Sequence, residues 1–120
     1  MKKIFILLLL SITLIACSQN SFDFIGDSDN WEVTYHVSTK SESSQSSNLE
    51  IRYIGNNNPP EQINYKFDNG KEGTNIRLDE GTYKGVNSQC SGCNTTQESE
   101  EFVITIEWDE KEEVIDLSSE

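Results

Sequence analysis

Two of the three cysteines stand close together in the run Cys90-Ser91-Gly92-Cys93. Thiols at this spacing can form a disulfide, exchange disulfides with another protein, or supply two ligands to a metal ion. In exchange catalysts the motif opens a helix after a strand, and the helix N-terminus lowers the pKa of the first thiol. Here polar residues flank the motif on both sides, at 87–89 and 94–97, and no apolar helical stripe follows.

These flanks favour a structural disulfide between Cys90 and Cys93. Zinc needs four ligands, and the rest of the chain offers only His36 and Cys17 as soft donors. We predict a small disulfide at the tip of a loop, in a protein outside the cytoplasm, where disulfides persist. Chain entropy gives a loop of about four residues a stabilisation of about 2 kcal/mol. A redox-active pair, and a metal-bound or intermolecular pair, stay open as alternatives.

A second group of metal-ligating residue types is Asp27, Asp29 and Asn30. The EF-hand spacing requires Asp or Asn at the fifth position and Gly at the sixth, where this chain has Trp31 and Glu32. The group therefore favours a polar turn over a specific calcium site.

His36 is the only histidine, and it lies on the polar side of an alternating run. No second histidine is present to form a metal pair. Carboxylates scatter over polar faces and turns, without catalytic pairing or a Ser/His/Asp arrangement. We therefore predict a solvent-facing strand residue at His36, no metal site, no cofactor and no enzymatic activity, with a hydrolase the least supported class.

The third cysteine, Cys17, follows an apolar leader. Met1-Lys2-Lys3 forms a cationic head, an apolar segment runs from Ile4 to Ala16, and the small Ala16 precedes Cys17. This order is typical of a secretory signal. As a helix the apolar segment would span about 20 Å, which is short of the roughly 30 Å hydrocarbon core of a bilayer. A permanent transmembrane span is therefore not predicted.

The run Leu14-Ile15-Ala16-Cys17 resembles the lipobox of bacterial lipoproteins. The resemblance implies cleavage before Cys17 and a diacylglyceryl thioether on its sulfur. Two acyl chains hold far better than one, since each buried methylene contributes about 0.8 kcal/mol. We expect a protein anchored in the lipid bilayer through acylated Cys17, on the extracytoplasmic face of the cell membrane. The alternative is an ordinary secretory signal with a chance cysteine.

The predicted divisions of the chain follow from this leader. Residues 1–16 are the signal peptide, residues 17–21 are the lipidated cysteine with a short tether, and residues 22–120 are a single β domain. A domain of this size buries about two-thirds of the surface that its unfolded chain exposes. The core is therefore expected to be thin.

The charge of the chain is strongly negative. The formal net charge is -12 from nine basic and twenty-one acidic residues. Loss of Lys2 and Lys3 with the leader leaves seven basic residues and moves the charge to -14. Such a charge argues against nucleic acid and against electrostatic adhesion to anionic lipid. If the surface charge selects a partner, it favours a cationic ligand or an envelope protein.

Short runs of alternating apolar and polar residues, with turn signals about every ten residues, predict an all-β domain. The strongest run is Phe102–Trp108, and Glu113–Leu117 is its predicted hairpin partner. The serine-rich tract at 38–48 is predicted to be a mobile loop. We expect a small antiparallel β-sandwich with immunoglobulin-like architecture, or alternatively a small β-barrel. Its predicted core, which could instead form a stacked aromatic pocket for sugar, is Trp31, Tyr35, Ile51, Tyr65, Phe67, Ile104, Ile106 and Trp108.

Two further segments carry a family resemblance. Gly26-Asp27-Ser28-Asp29-Asn30-Trp31, and the closing stretch from Ile104 to Glu113, are similar to segments of small lipoproteins of Gram-positive spore-forming bacilli. Those proteins carry no assigned activity, so the resemblance implies an envelope location and no chemistry.

The sequence thus favours a non-enzymatic binding or interaction module at the cell envelope. The serine-rich tract and the Cys90 to Cys93 loop are the expected contact edges. The alternative is a thiol-disulfide or redox-sensing role for Cys90 and Cys93.

Overall fold

A computed structural model describes residues 20–119 of the chain. In this range every regular element is a strand, and there is no helix that could cross a bilayer. The strands are β1 (Asn20–Asp27), β2 (Trp31–Ser41), β3 (Ser44–Tyr53), β4 (Gln62–Phe67), β5 (Glu72–Arg77), β6 (Thr82–Lys84), β7 (Ser88–Ser91), β8 (Glu101–Trp108) and β9 (Lys111–Ser119).

The strands form one antiparallel sheet that curls into a nearly closed barrel. The hydrogen-bonded order is β5-β4-β8-β9-β1-β2-β3-β6, and β7 also pairs with β3. The all-β antiparallel prediction is confirmed. Because one path of pairing joins these strands, the small barrel is the predicted alternative that fits, and the two separate sheets of a sandwich are not formed.

Alternation of side chains builds the interior of the barrel. Along β2 the odd-numbered residues from Trp31 to Thr39 are buried and the intervening ones are partly exposed. The same pattern runs along β8, because successive side chains of a strand point to opposite faces. Seven of the eight predicted core residues are buried, and the exception is Tyr65, which is half-buried beside the core.

The serine-rich tract is not the loop that we predicted. It forms the end of β2 and the start of β3, with pairs from His36–Asn48 to Ser41–Ser44 around a turn at Glu42 and Ser43. β3 is also paired on its other side with β7, so the small serine side chains occupy a strand whose backbone is bonded on both edges. Backbone pairing therefore outweighs the poor apolar content of the tract.

β5 and β6 form a hairpin that is paired only at its turn. Asp79 and Thr82 exchange two backbone hydrogen bonds, with N–O distances of 2.8 and 3.0 Å. Between them Glu80 and Gly81 have positive φ, 51° and 83°, which a tight two-residue hairpin turn requires. Away from the turn, β5 pairs with β4 and β6 pairs with β3, so the two strands diverge. The opening between them is called the seam.

A bulge in the β4–β5 pair contributes to the seam. The register shifts between Ile63 and Tyr65, and Asn75 has a φ of 53°. The Asn75 N–H donates to the side-chain Oδ1 of Asn64 at 2.8 Å. Bulges of this kind bend a strand and interrupt its pairing edge. The bulge thus bends β5 beside the seam, and β5 and β6 remain unpaired away from Asp79 and Thr82.

Candidate functional site

A cavity of about 420 Å³ occupies the seam where β5 and β6 diverge. Its aromatic lining comes from β2, β4 and β6, and its polar lining comes from β3, the β4–β5 turn and the first residues of β5 and β7. The chain that links β6 to β7 contributes Gly85 and Val86. The lining residues are Tyr35, Ser47, Asn48, Leu49, Tyr65, Phe67, Lys71, Glu72, Tyr83, Gly85, Val86 and Ser88. Half-buried phenols, hydroxyls and one ammonium make this a polar-aromatic site.

Tyr65 owes its place at the cavity to the glycine opposite it. Gly73 is the cross-strand partner of Tyr65, and a Cβ placed on Gly73 would come 2.5 Å from Cε1 of the tyrosine ring. A side chain at this position would force the ring to move. The missing side chain therefore lets Tyr65 lie across β5 and wall one side of the cavity.

Tyr83 on β6 faces Tyr65 across the seam. Their ring centroids are 6.3 Å apart, with a tilt of 35° between the ring planes. Burial raises the pKa of Tyr65, and the nearby Tyr83 phenol raises that pKa further. The Tyr65 phenol is therefore neutral over the ordinary pH range and can donate and accept hydrogen bonds.

Lys71 is the cation of this cavity. Its Nζ donates to the Tyr35 hydroxyl at 3.2 Å and lies 5.4 Å from the centre of the same ring. Tyr35 is a core residue, only 5 % exposed, so the lysine is held against the barrel interior by a hydrogen bond and a cation–π contact. The ammonium is thereby positioned beside the phenols.

A second cavity, of about 670 Å³, lies on the outer side of β6. Tyr83 lines both cavities, so the two meet at β6. We call the two cavities together the cleft. The second cavity is lined by Glu50, Arg52, Arg77, Asp79, Glu80, Thr82, Tyr83 and Lys84.

Most of the few basic residues within residues 20–119 line the cleft. Of the seven basic residues within residues 20–119, four line the cleft, namely Lys71, Arg52, Arg77 and Lys84. Within residues 20–119, Arg52 is the only one of these four with a carboxylate oxygen inside 4.0 Å, that of Glu32 at 2.9 Å. The other three stay out of ion pairs although carboxylates are abundant.

The predicted cysteine pair lies at one end of the barrel. The sulfurs of Cys90 and Cys93 are at disulfide distance, with their Cα atoms 6.1 Å apart. Cys90 is in β7 rather than at a loop tip, and the Cys93 N–H donates to the Ser43 carbonyl at 3.1 Å. The pair thus ties the chain after β7 to the turn between β2 and β3.

The same end of the barrel carries the start of the described chain. Asn20 pairs with Thr39, Thr39 pairs with Gln45, and Gln45 pairs with Cys90. Three strand spacings separate Asn20 from Cys90, or about 14 Å. Cys17 lies outside the described residues, as do the predicted leader and the first part of the tether. Asn20 and Ser21, the last two residues of that tether, already belong to β1.

The other candidate ligands take part in cross-strand contacts. His36 lies on the outer side of β2, and its Nδ1 contacts the Asp23 carboxylate on β1. The Asn30 backbone N–H donates to Glu113 Oε1 at 3.0 Å, and its side-chain amide bonds the same carboxylate. Residues 20–119 contain no group of three or more His, Cys, Asp or Glu placed to hold a metal ion.

Sequence reasoning missed most of the cleft. It assigned Tyr65 to the core and gave no role to Tyr83, Lys71 or Arg77. The local signal was present, since Tyr65 and Tyr83 occupy strand positions where aliphatic residues would seal a core. What gathers these residues is the divergence of β5 and β6, which no spacing in the sequence encodes.

Comparison with known proteins gives no relative. No family model, no curated protein and no solved structure matches the chain.

Proposed function

We propose that this protein is a lipid-anchored extracytoplasmic binding module of a bacterial envelope, and that its ligand occupies the cleft. The observation that carries the binding role is the seam, an opening in an otherwise continuous sheet that is lined by half-buried tyrosines and cations outside ion pairs. A closed barrel would bury these groups or pair them. A concave surface with apolar walls and a few placed polar groups is the usual form of a ligand site.

The lining of the cleft supports binding rather than catalysis. It presents phenols, hydroxyls, an amide, cations and carboxylates, which are groups that orient a ligand through hydrogen bonds and ring contacts. The single histidine lies elsewhere, on the outer side of β2. We therefore propose a non-enzymatic role.

The anchor is proposed from the lipobox-like run before Cys17, and the start of β1 at Asn20 gives it a consequence. Two residues separate Cys17 from Asn20, so a thioether on Cys17 would hold the Asn20 end of the barrel within about 10 Å of the bilayer. The Cys90–Cys93 pair lies at that end and would face the membrane. The Trp31 and Trp108 end would face away from it.

Retention on bacterial cell walls tests the binding role. Protein extracted from membranes in neutral detergent is sedimented with isolated cell walls, as the wild type and as Tyr65→Ala/Tyr83→Ala. We expect the wild type to sediment and the double variant to stay in solution, because the aromatic walls of the cleft are removed. The matched control is Tyr53→Ala, which removes a half-buried tyrosine that packs on Trp31 instead.

Each other outcome contradicts the binding role of the cleft. Equal retention of the wild type and the double variant would place the contact elsewhere, and no retention of the wild type would exclude a cell-wall ligand. If the alanine double variant loses its near-ultraviolet circular dichroism, Tyr65→Phe/Tyr83→Phe, which keeps the rings, replaces it in the retention experiment. It should retain at least part of the binding.

Intact-mass measurement tests the anchor. We expect membrane-extracted protein to begin at Cys17 and to carry a diacylglyceryl group, and we expect Cys17→Ala to lose both features. A mass that retains residues 1–16, or an unmodified Cys17 thiol in protein released to the medium, would contradict the proposal.

A further inference from the structure

We infer that the cleft binds an acidic saccharide, with sugar rings on Tyr65 and Tyr83 and the acidic groups on Arg77, Lys84 and Lys71. This inference rests on the proposed function and names the ligand class of the same site. It runs against the net charge of the chain, which taken alone favours a cationic partner. The argument depends on where the few cations lie.

The cleft is locally balanced within a strongly acidic protein. Its four basic residues face four acidic ones, Glu50, Glu72, Asp79 and Glu80. The remaining surface has three basic residues, Lys40, Lys66 and Lys111, against the other carboxylates of a chain with twenty-one. An anionic ligand is therefore repelled least at the cleft, where four of the seven cations that can make charge-assisted hydrogen bonds lie.

The cations of the cleft are available to a ligand. Arg77 and Lys84 have no carboxylate inside 4.0 Å among residues 20–119, and Lys71 is held by the neutral Tyr35 hydroxyl. An arginine can bind a carboxylate or a phosphate through two parallel hydrogen bonds, and a lysine binds it as a point charge. A ligand would thus meet three cations whose charge is not already neutralised.

The two tyrosines favour a ligand with sugar rings over a simple anion. Tyr65 and Tyr83 are half-buried aromatic residues that line the cavity, and each carries a hydroxyl. Aromatic faces pack against the C–H face of a pyranose, while the phenol oxygens exchange hydrogen bonds with its hydroxyl groups. Ser47 and Ser88 line the same cavity and add neutral polar residues.

The position of Tyr83 indicates more than one sugar unit. Tyr83 lines both the cavity of about 420 Å³ and the cavity of about 670 Å³. Arg77 and Lys84 line the larger cavity and Lys71 the smaller one. A chain of acidic sugars that crosses the edge of β6 would place rings on either side of Tyr83 and an acidic group at each set of cations.

Calorimetric titration of the membrane-extracted protein tests the ligand class. The probes are a trimer of galacturonic acid, a neutral trimer of glucose, glucose phosphate and polyglutamate. We expect the acidic trimer to bind at least about tenfold more tightly than the neutral trimer, and added salt to weaken it. Tighter binding of glucose phosphate than of the uronic acid trimer would assign phosphate as the acidic group.

A matched pair of charge variants isolates the cleft. Arg77→Gln/Lys84→Gln and Lys66→Gln/Lys111→Gln change the net charge equally, and only the first pair lines the cleft. We expect the first pair to weaken binding of the acidic trimer about tenfold or more, and the second to change it less than about twofold.

The outcomes separate this inference from the proposed function. Equal binding of the acidic and neutral trimers, or equal loss in the two charge variants, would overturn the acidic ligand. Polyglutamate that binds as well as the acidic trimer would overturn the saccharide. If no probe binds but retention on cell walls still depends on Tyr65 and Tyr83, the ligand class is wrong and the binding role stands.

Discussion

Aromatic residues lie in both the closed wall of the barrel and the seam, but they are buried in the wall and partly exposed in the seam. In the wall, formed by β8, β9, β1 and β2, Phe24 and Phe102 pack edge to face with centroids 5.0 Å apart, and both are buried. In the seam, Tyr65 and Tyr83 lie 6.3 Å apart and remain half-exposed. In the wall, β8–β9 and β1–β2 each pair over eight positions and β9–β1 over two, whereas β5 and β6 pair with each other only at Asp79 and Thr82.

This difference shows that a candidate binding site can arise where two neighbouring strands do not form backbone hydrogen bonds with each other. The aromatic side chains of the wall are stabilising because neighbouring strands exclude water from them. Those of the seam keep part of their surface for a ligand, and they contribute correspondingly less to stability. Substitutions in the two regions should therefore separate stability from binding.

The largest effect is expected in the wall. Phe24→Ala removes a fully buried ring, and it should lower the free energy of unfolding by about 3–5 kcal/mol. Tyr83→Ala in the seam should cost less than half as much while abolishing retention on cell walls. Urea unfolding of both variants measures the comparison, with Val114→Ala, an exposed position on β9, as the control. Equal destabilisation by the two substitutions would contradict the division between wall and seam.

The cysteine pair should have an intermediate effect. Cys90→Ala/Cys93→Ala removes a cross-link that closes a loop of about four residues, and it should lower the free energy of unfolding by about 2 kcal/mol. Binding at the cleft should persist, since neither cysteine lines it. As the matching control, a reductant should lower the stability of the wild type but should not change that of the double variant. A catalytic exchange role would instead appear as turnover of a disulfide substrate by the wild type.

Glu113 gives the wall a smaller, pH-dependent contribution. Burial acts to raise the pKa of Glu113, but hydrogen bonds from Ser28 and Asn30 outweigh it and hold the pKa below its usual value. The folded protein therefore binds this proton less readily than the unfolded chain does. The resulting stability is present above the ordinary pKa of a glutamate and is lost as the pH falls through the lowered one.

Glu113→Gln tests this contribution. At neutral pH we expect the substitution to lower the free energy of unfolding by about 1 kcal/mol, reduced by partial solvent exposure. The difference from wild type should shrink in acid, because the carboxylate is then protonated in both states. Glu112→Gln on the same strand is the control, since its side chain is exposed. A difference that grew toward acid pH would contradict the assignment.

The smallest effect is expected within the seam itself. Tyr83→Phe removes the phenol that helps to raise the pKa of Tyr65, so that pKa should move down toward the ordinary tyrosine value. Ultraviolet titration of phenolate formation measures it, and the Tyr65→Phe variant identifies the signal. Stability near neutral pH should change by less than about 0.5 kcal/mol. An unchanged Tyr65 titration would show that the two phenols do not interact.

The sequence predicted the wall better than the seam. Alternation in Trp31–Val37 and Phe102–Trp108 identified strands and buried faces, because one side of each strand must leave water. The serine-rich tract was assigned wrongly, since composition says nothing of the backbone bonds that hold Ser44 to Ser47 between two strands. The cleft was missed because it depends on a hairpin that diverges, with β5 paired to β4 and β6 paired to β3.

Amide chemical-shift mapping with solubilised bacterial cell-wall glycans tests the central claim most directly. In membrane-extracted protein, we expect the largest shifts at Gly73, Gly85 and Val86, with the amides of β8 and β9 unchanged. Shifts concentrated along the closed wall, or no shifts at all, would contradict the proposal that the unclosed seam is the binding surface of this protein.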